Sequence, residues 1–214
     1  MIVPKLHYIA EGSSPKDLLE NIQKACTSGA ELVQLRYKNI SEKKFLKVAT
    51  AALKITSHFQ TRLIINDHYK IAEAIKADGV HLEESDACPT LVRKHIYPWQ
   101  MIGGTAHTLQ DCETLLAKEV NYISLGPFRS VTALDNGSPT LGLHEYTAII
   151  EALQTETPLL GYGTITTEDV AALLKSGIYG ISVSEEITQD FDRIRTFNKL
   201  LSAASTQEQR HTFE

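Results

Sequence analysis

With 214 residues, the chain is long enough for one sizeable core and short for two domains of usual size, so a single domain is expected. An apolar share of 43%, a charged share of 22% and the lack of any apolar run near the ~18 residues of a bilayer span exclude a membrane protein. A net charge of -5 and a pI near 5.9 exclude a broad nucleic-acid surface, so cations for an anionic ligand must be placed individually.

Met1-Ile2-Val3-Pro4-Lys5-Leu6 runs straight into a strand expected over 5–10, without the regions of a signal peptide, so a cytoplasmic protein is expected. Ser13-Ser14-Pro15 supplies a cap and a first-turn proline for a helix carrying Leu18, Leu19 and Ile22, and Gly29 stops it. The second strand ends in Gln34-Leu35-Arg36-Tyr37-Lys38, where Gln34, Arg36 and Lys38 point the same way and Leu35 the other. Ser41 then opens an amphipathic helix through Phe45, Val48, Leu53 and Ile55.

The third strand is Arg62-Leu63-Ile64-Ile65, followed by Asn66-Asp67-His68, and the fourth is Gly79-Val80-His81-Leu82, followed by Glu83-Glu84 and Asp86. Met101-Ile102-Gly103-Gly104 precedes Thr105 and His107, with a helix over 109–116 opened by Thr108. A strand ending at Leu125-Gly126 leads into a long irregular stretch, 127–141, of the kind that forms lids. Helices over 144–153, from Val170 and over 191–201 flank the last two strands, which end in Gly161-Tyr162-Gly163-Thr164 and Ser182-Val183-Ser184-Glu185. Residues 202–214 read as a polar, disordered tail after a domain at 1–201. Cys26, Cys88 and Cys112 are odd in number and lack C-x-x-C spacing, so neither a disulfide framework nor a zinc site is expected.

Four strand ends, at Leu35, Leu82, Leu125 and Val183, lie 47, 43 and 58 residues apart. That spacing fits two βα units of ~25 residues each, and eight such units predict a (β/α)8 TIM barrel. An open doubly wound sheet is the rival, but no G-x-G-x-x-G follows the first strand. Barrel chemistry sits at the C-terminal ends of strands, which makes the strand-end residues above the candidates.

Arg36 and Lys38 beside Asp67 and Asp86 point to a phosphorylated substrate with a divalent metal. The bland alternatives are that Asp67-His68 and Asp86 cap helices, that Arg36 and Lys38 pair with Glu83 and Glu84, that His81 is a satisfied wall histidine and that His107 only precedes a cap. Loops after strands seven and eight bind phosphate in many barrels; Gly161 to Thr164 suit this, whereas Glu185-Glu186 oppose it.

Several motifs in order resemble the thiamine phosphate synthase and TenI superfamily over roughly residues 5–200. They are Gln34-Leu35-Arg36-Tyr37-Lys38, Ile65-Asn66-Asp67, Lys76 through Leu82 with Asp86, Gly104-Thr105-Ala106-His107-Thr108, Leu125-Gly126-Pro127-Phe128 and Gly161-Tyr162-Gly163-Thr164-Ile165. The resemblance implies an eight-stranded barrel that joins a hydroxymethylpyrimidine diphosphate to a thiazole phosphate through a pyrimidine carbocation, releasing pyrophosphate. Arg36 and Lys38 would hold the diphosphate, Gln34 and Asn66 would line its pocket, Thr105 would touch the pyrimidine, and Asp67 and Asp86 would hold Mg²⁺. Gly126, Gly161, Gly163, Thr164 and Ser184 would complete the substrate site.

The chain departs from the pattern where the family grips pyrophosphate with threonines and a lysine: here the run is Ser130-Val131-Thr132-Ala133-Leu134, with Leu134 at the lysine position. Thr164 replaces a glycine, Ser184-Glu185 an apolar-serine pair and Glu83-Glu84 a Gly-Gln, and Arg129 is the expected substitute cation if the loop folds inward. A thiazole tautomerase of the TenI type and a non-catalytic paralogue that binds a thiamine precursor are the alternatives; the first expects a histidine where Pro127 stands. The oligomeric state, a homo-oligomer included, is left open by the sequence.

Overall fold

The computed structural model describes residues 2–129 and 139–211, with side chains through residue 203. Its strands are β1 (Leu6–Ala10), β2 (Leu32–Leu35), β3 (Arg62–Asn66), β4 (Gly79–Leu82), β5 (Met101–Ala106), β6 (Tyr122–Leu125), β7 (Leu159–Tyr162) and β8 (Gly180–Val183). They pair in parallel and in chain order, and β1 closes on β8 with His7 opposite Ser182. The eight-stranded barrel expected from the repeat is therefore the fold. Strand residues are buried almost throughout because helices cover the outer face and side chains fill the inside.

The helices are α1 (Pro15–Thr27), α2 (Glu42–His58), α3 (Tyr69–Ile75), α4 (Pro89–Val92), α5 (Leu109–Leu116), α6 (Leu143–Leu153), α7 (Val170–Lys175), α8 (Glu185–Gln189) and α9 (Arg193–His211). In α1 the Ser14 hydroxyl accepts from the Asp17 N–H, Pro15 follows in the first turn, and Leu18, Ile22, Ala25 and Cys26 form one buried stripe. In α2 the buried residues Phe45, Val48, Ala49 and Ala52 repeat at the same helical period. Phe45 is fully buried, and a side chain of that size stabilises the docked helix by about 2 kcal/mol.

The short helix α8 starts at Glu185, directly after β8, where barrels commonly place a short extra helix beside the phosphate loops. One element differs from expectation. The last helix runs to His211 instead of ending at 201; the sequence after Leu201 holds no glycine or proline to stop it. Residues 130–138, including Leu134 and the run that departs from the family motif, lie outside the described residues.

Inside the barrel, Val3, Leu32, Ile64, Met101, Tyr122 and Leu160 form an apolar plug at the N-terminal end, separate from the larger core between sheet and helices. The Tyr122 ring needs Gly103 opposite it: a Cβ there would lie 2.1 Å from Tyr122 Cζ. Above this plug the interior becomes polar, with His7, Gln34, Asn66, His81, Ser124 and Ser182 all buried. Polar side chains gather where the barrel opens.

Candidate active site

A cavity of about 350 Å³ opens above that polar layer, with Gln34, Arg36, Asn66, Thr105, His107 and Tyr162 among its walls. Alternation along β2 turns Gln34 inward, where it is 3% exposed, and its Nε2 donates to Asn66 Oδ1 at 2.5 Å across the β2–β3 pair. Gln34 Oε1 has no hydrogen-bond partner, so a buried acceptor faces this layer unmet.

One carboxylate organises the cations. Glu83, just past β4, takes Lys38 Nζ at 2.7 Å on Oε2 and Arg36 Nε at 3.5 Å on Oε1, and Asn66 Nδ2 donates to it at 3.4 Å. Arg36 Nη1 also reaches Glu11 Oε1 at 2.5 Å. Burial works against ionised Glu83, but the Lys38 hydrogen bond and the charges of Lys38 and Arg36 outweigh it and hold the carboxyl below its ordinary range. The expected pairing thus forms with Glu83, and no Glu84 ion pair is seen among the described residues.

Asp67 and Asp86 do not cap helices. The N-cap of α3 is His68, without a side-chain cap bond, and that of α4 is Cys88. Asp86 Oδ2 instead accepts from the Glu83 N–H at 2.6 Å, and Asp67 Oδ1 lies 3.1 Å from His68 Nδ1. Burial raises both carboxyls above their usual range; Glu83 adds to the rise at Asp67, and Asp67 and Glu83 add to it at Asp86.

Half-buried carboxylates that repel one another are the donor set a hard cation relieves, so these residues fit Mg²⁺. No cluster of three or more metal-ligating side chains occurs among the described residues, but Mg²⁺ bound by one or two carboxylates and substrate phosphates needs none.

His81 bridges Tyr122 OH at 3.1 Å through Nδ1 and Thr105 Oγ1 at 2.9 Å through Nε2. Burial pushes its pKa down to about 4, so it is neutral near pH 7 and is the satisfied wall histidine expected. His107 exceeds the minor role read from sequence: its Nδ1 donates to the Gly126 carbonyl at 2.9 Å and lies 3.2 Å from Tyr162 OH, and its ring lines the cavity.

The remaining candidates divide. Gly163, Thr164 and Ser184 line a second cavity of about 750 Å³ beside β1, β7 and β8, joined to the first by Ile9 and Tyr162. Gly161 faces outward toward Tyr146, Ile165 and Ile178, away from both cavities. Gly126 contributes its carbonyl to His107. Asp86 lines a smaller cavity with Glu83, Glu84 and His107.

Arg129 does not turn toward Arg36 and Lys38. Its guanidinium grips both oxygens of Asp169 at 2.6 Å and the Thr164 carbonyl at 3.1 Å. Asp169 is a carboxylate on the loop before α7, and it holds the arginine that the sequence offered as a substitute pyrophosphate cation if the loop folded inward.

Glu11 was missed from sequence, whereas His107 and Tyr162 were among the strand-end candidates but were given no role of their own. Glu11 directly follows β1, so applying the strand-end filter to that strand finds it. Tyr162 lies in the same inward row as Leu160 on β7, so alternation aims it into the cavity although it stands between two glycines of the candidate turn.

The thiamine monophosphate synthase family model matches residues 6–187. A thiamine-phosphate synthase of Flavobacterium johnsoniae is 36% identical over 205 residues, covering 93% of this chain and 97% of that protein. One of Bacteroides fragilis is 31% identical over 200 residues, with 92% and 98% covered. In structure, a thiamine phosphate pyrophosphorylase from Pyrococcus furiosus superposes with a TM-score of 0.76 at 24% identity, covering 93% of this chain and 94% of the other, which supports the fold.

Proposed function

The chain belongs to the thiamine monophosphate synthase family, and on that premise we propose that it joins hydroxymethylpyrimidine diphosphate to a thiazole phosphate with release of pyrophosphate. It is a transferase of the thiamine phosphate synthase type. The observation that carries the assignment of roles is the convergence of Arg36, Lys38 and Asn66 on one anionic group, Glu83, beside a cavity walled by Gln34 and Thr105.

The reaction breaks the bond between the pyrimidine methylene carbon and the diphosphate oxygen, and the electron pair leaves with pyrophosphate. The thiazole nitrogen lone pair forms the new C–N bond. Arg36 and Lys38 stabilise the charge that develops on the departing group once they exchange Glu83 for phosphate oxygens. The free Gln34 Oε1 accepts from the amino group of the pyrimidine, and Thr105, steadied by neutral His81, closes its wall. Holding both reactants in adjoining cavities supplies the orientation. Asp67 and Asp86 would hold Mg²⁺, which when bound neutralises part of the pyrophosphate charge. On this reading the enzyme acts in the cytoplasm.

The test is a direct coupling assay with both substrates, with and without Mg²⁺, following thiamine phosphate. Metal-dependent product is expected, and no product at saturating substrates refutes the assignment. One observation favours a second reading, a binding paralogue: Arg36 and Lys38 are already compensated by Glu11 and Glu83. Calorimetric binding of either substrate without turnover of any pyrimidine or thiazole substrate identifies that case.

A further inference from the structure

Among the described residues, Ile9 on β1 and Tyr162 on β7 line both cavities, so they mark the join between the two. Tyr162 is the aromatic member of the pair, is 7% exposed and is fastened at both ends. Its carbonyl accepts from the Phe128 N–H at 2.7 Å, and its hydroxyl lies 3.2 Å from His107 Nδ1, with the two rings edge to face. The turn that follows leaves no slack, since a Cβ at Gly163 would lie 2.7 Å from Pro127 Cβ and from the Arg129 carbonyl oxygen. The ring is thus held in place before substrate arrives.

Charge is distributed unevenly around this join. Arg36 and Lys38 follow β2, and β7 lies three strands from β2 around the closed ring, so the cations and Tyr162 face the mouth from different sides. In the proposed reaction the electron pair leaves with pyrophosphate toward Arg36 and Lys38, while the thiazole nitrogen ends with four bonds and a positive charge. That nitrogen must meet the pyrimidine methylene carbon where the two cavities join, which puts the new positive charge beside Tyr162. Each carboxylate that lines these cavities belongs to one of them alone, so none stands at the join. Glu83, the nearest to the cations, is already engaged by Arg36 and Lys38. A tyrosine ring carries a negative face that attracts a cation within ~6 Å of its centroid, and the attraction grows where water is excluded.

We propose that the ring of Tyr162 is a catalytic group of this site, whose π face stabilises the positive charge that develops on the methylene carbon and ends on the thiazole nitrogen. The inference rests on the reading of the site as a thiamine phosphate synthase. The chemistry balances without a further reactant: the C–O bond to diphosphate breaks, pyrophosphate leaves with the electron pair, and the nitrogen lone pair forms the C–N bond. Tyr162 gives up no proton and no electron. The role needs the aromatic ring and does not need the hydroxyl.

Single-turnover coupling assays on the full chain with Mg²⁺ decide it, comparing Tyr162→Phe, Tyr162→Leu and a series in which Tyr162 is replaced by phenylalanines of increasing ring fluorination. Tyr162→Phe keeps the ring and is expected to hold the rate within about threefold, whereas Tyr162→Leu is expected to lower it about tenfold, the scale of a desolvated cation–π contact, with the half-saturating concentrations of both substrates unchanged. Each added fluorine withdraws electron density from the π face at nearly constant shape. The logarithm of the rate is therefore expected to fall in step with fluorine number while Tm stays constant, which a purely structural ring would not show. A flat fluorine series, or the wild-type rate in a folded Tyr162→Leu protein, overturns the proposal. Calorimetric binding of thiamine phosphate, whose thiazolium is charged without turnover, reads the same contact separately and is expected to weaken in the same order. If the wild-type protein couples nothing while thiamine phosphate affinity follows the fluorine series, the cation site stands and the synthase reading falls. If it couples and neither series moves, the proposal alone falls.

Discussion

Lys38 Nζ and Glu83 Oε2 meet at 2.7 Å, so the ammonium expected to hold a diphosphate is engaged by a carboxylate of its own chain. Arg36 shares that carboxylate. Glu83 therefore competes with the substrate, and Glu83→Gln is expected to tighten inorganic pyrophosphate binding in the presence of Mg²⁺ about tenfold. The same change is expected to cost about 1 kcal/mol of stability, because largely buried Arg36 and exposed Lys38 lose a counter-charge. Calorimetry and urea unfolding measure the two effects; unchanged or weaker pyrophosphate binding would show that Glu83 does not occupy the anion's place.

Asp67 has φ of 70°, in the left-handed region that Asp and Asn tolerate better than other side chains. Asp67→Asn keeps that backbone and removes one of the mutually repelling charges. The variant is expected to bind Mg²⁺ at least about tenfold more weakly while its metal-free form loses no stability. Asp86→Asn is expected to behave alike, since its amide oxygen still accepts from the Glu83 N–H. Fluorescence or calorimetric Mg²⁺ titration checks both, and retention of wild-type affinity in the two variants would remove these residues from the metal site.

The barrel and its site were legible in the sequence to different degrees. Helix caps at Ser14 and Thr108 and apolar stripes such as Leu18, Ile22, Ala25 and Cys26 encode local structure, and their periodic recurrence encoded the fold. Gln34, Arg36 and Asn66 were also legible because strand alternation fixes their direction. Glu83 and Arg129 were not fully legible, because choosing one ion pair among several depends on distances across three or more loops. Arg129 and Asp169 lie 40 residues apart, and the parallel pairing of β6 with β7 brings them together.

His7 and His81 give the fold a defined response to acid. Burial lowers the first to about 3, with the charge of His81 adding to the effect, and burial lowers the second to about 4. Their unfolded value is ~6.5, so between that pH and the folded values the unfolded chain binds more protons. Stability is therefore expected to be unaffected by these groups above pH ~6.5 and to fall as pH drops below it, by roughly 1 kcal/mol per pH unit for each histidine, levelling only near the folded values. Neither nitrogen of His7 has a hydrogen-bond partner, so His7→Leu is expected to reduce the slope without costing stability at pH ~8. Urea unfolding across this pH range measures the slope; an identical slope in the variant would clear His7 of the effect.

The Arg129–Asp169 pair ties the segment after β6 to the loop after β7, and Asp169 also accepts from the Thr166 N–H at 2.9 Å and from its hydroxyl at 2.9 Å. The Arg129 hydrogen bonds, followed by those from Thr166, outweigh burial and hold the Asp169 carboxyl at about 2. A carboxyl depressed in the folded state contributes stability above its unfolded pKa of ~3.9 and loses it as pH falls through the folded value, so this tie is complete at neutral pH and lost only near pH ~2. Arg129→Ala is expected to cost about 1 kcal/mol, the scale of a well-formed but partly exposed bidentate pair. Asp169→Ala is expected to cost more, about 2 kcal/mol, because the Thr166 N–H loses its partner as well. Because Arg129 grips Asp169 instead of an anion, Arg129→Lys is expected to leave pyrophosphate binding unchanged. A loss of pyrophosphate affinity in Arg129→Lys, measured by calorimetry beside its unfolding curve, would instead make this arginine the substitute pyrophosphate cation that the sequence offered.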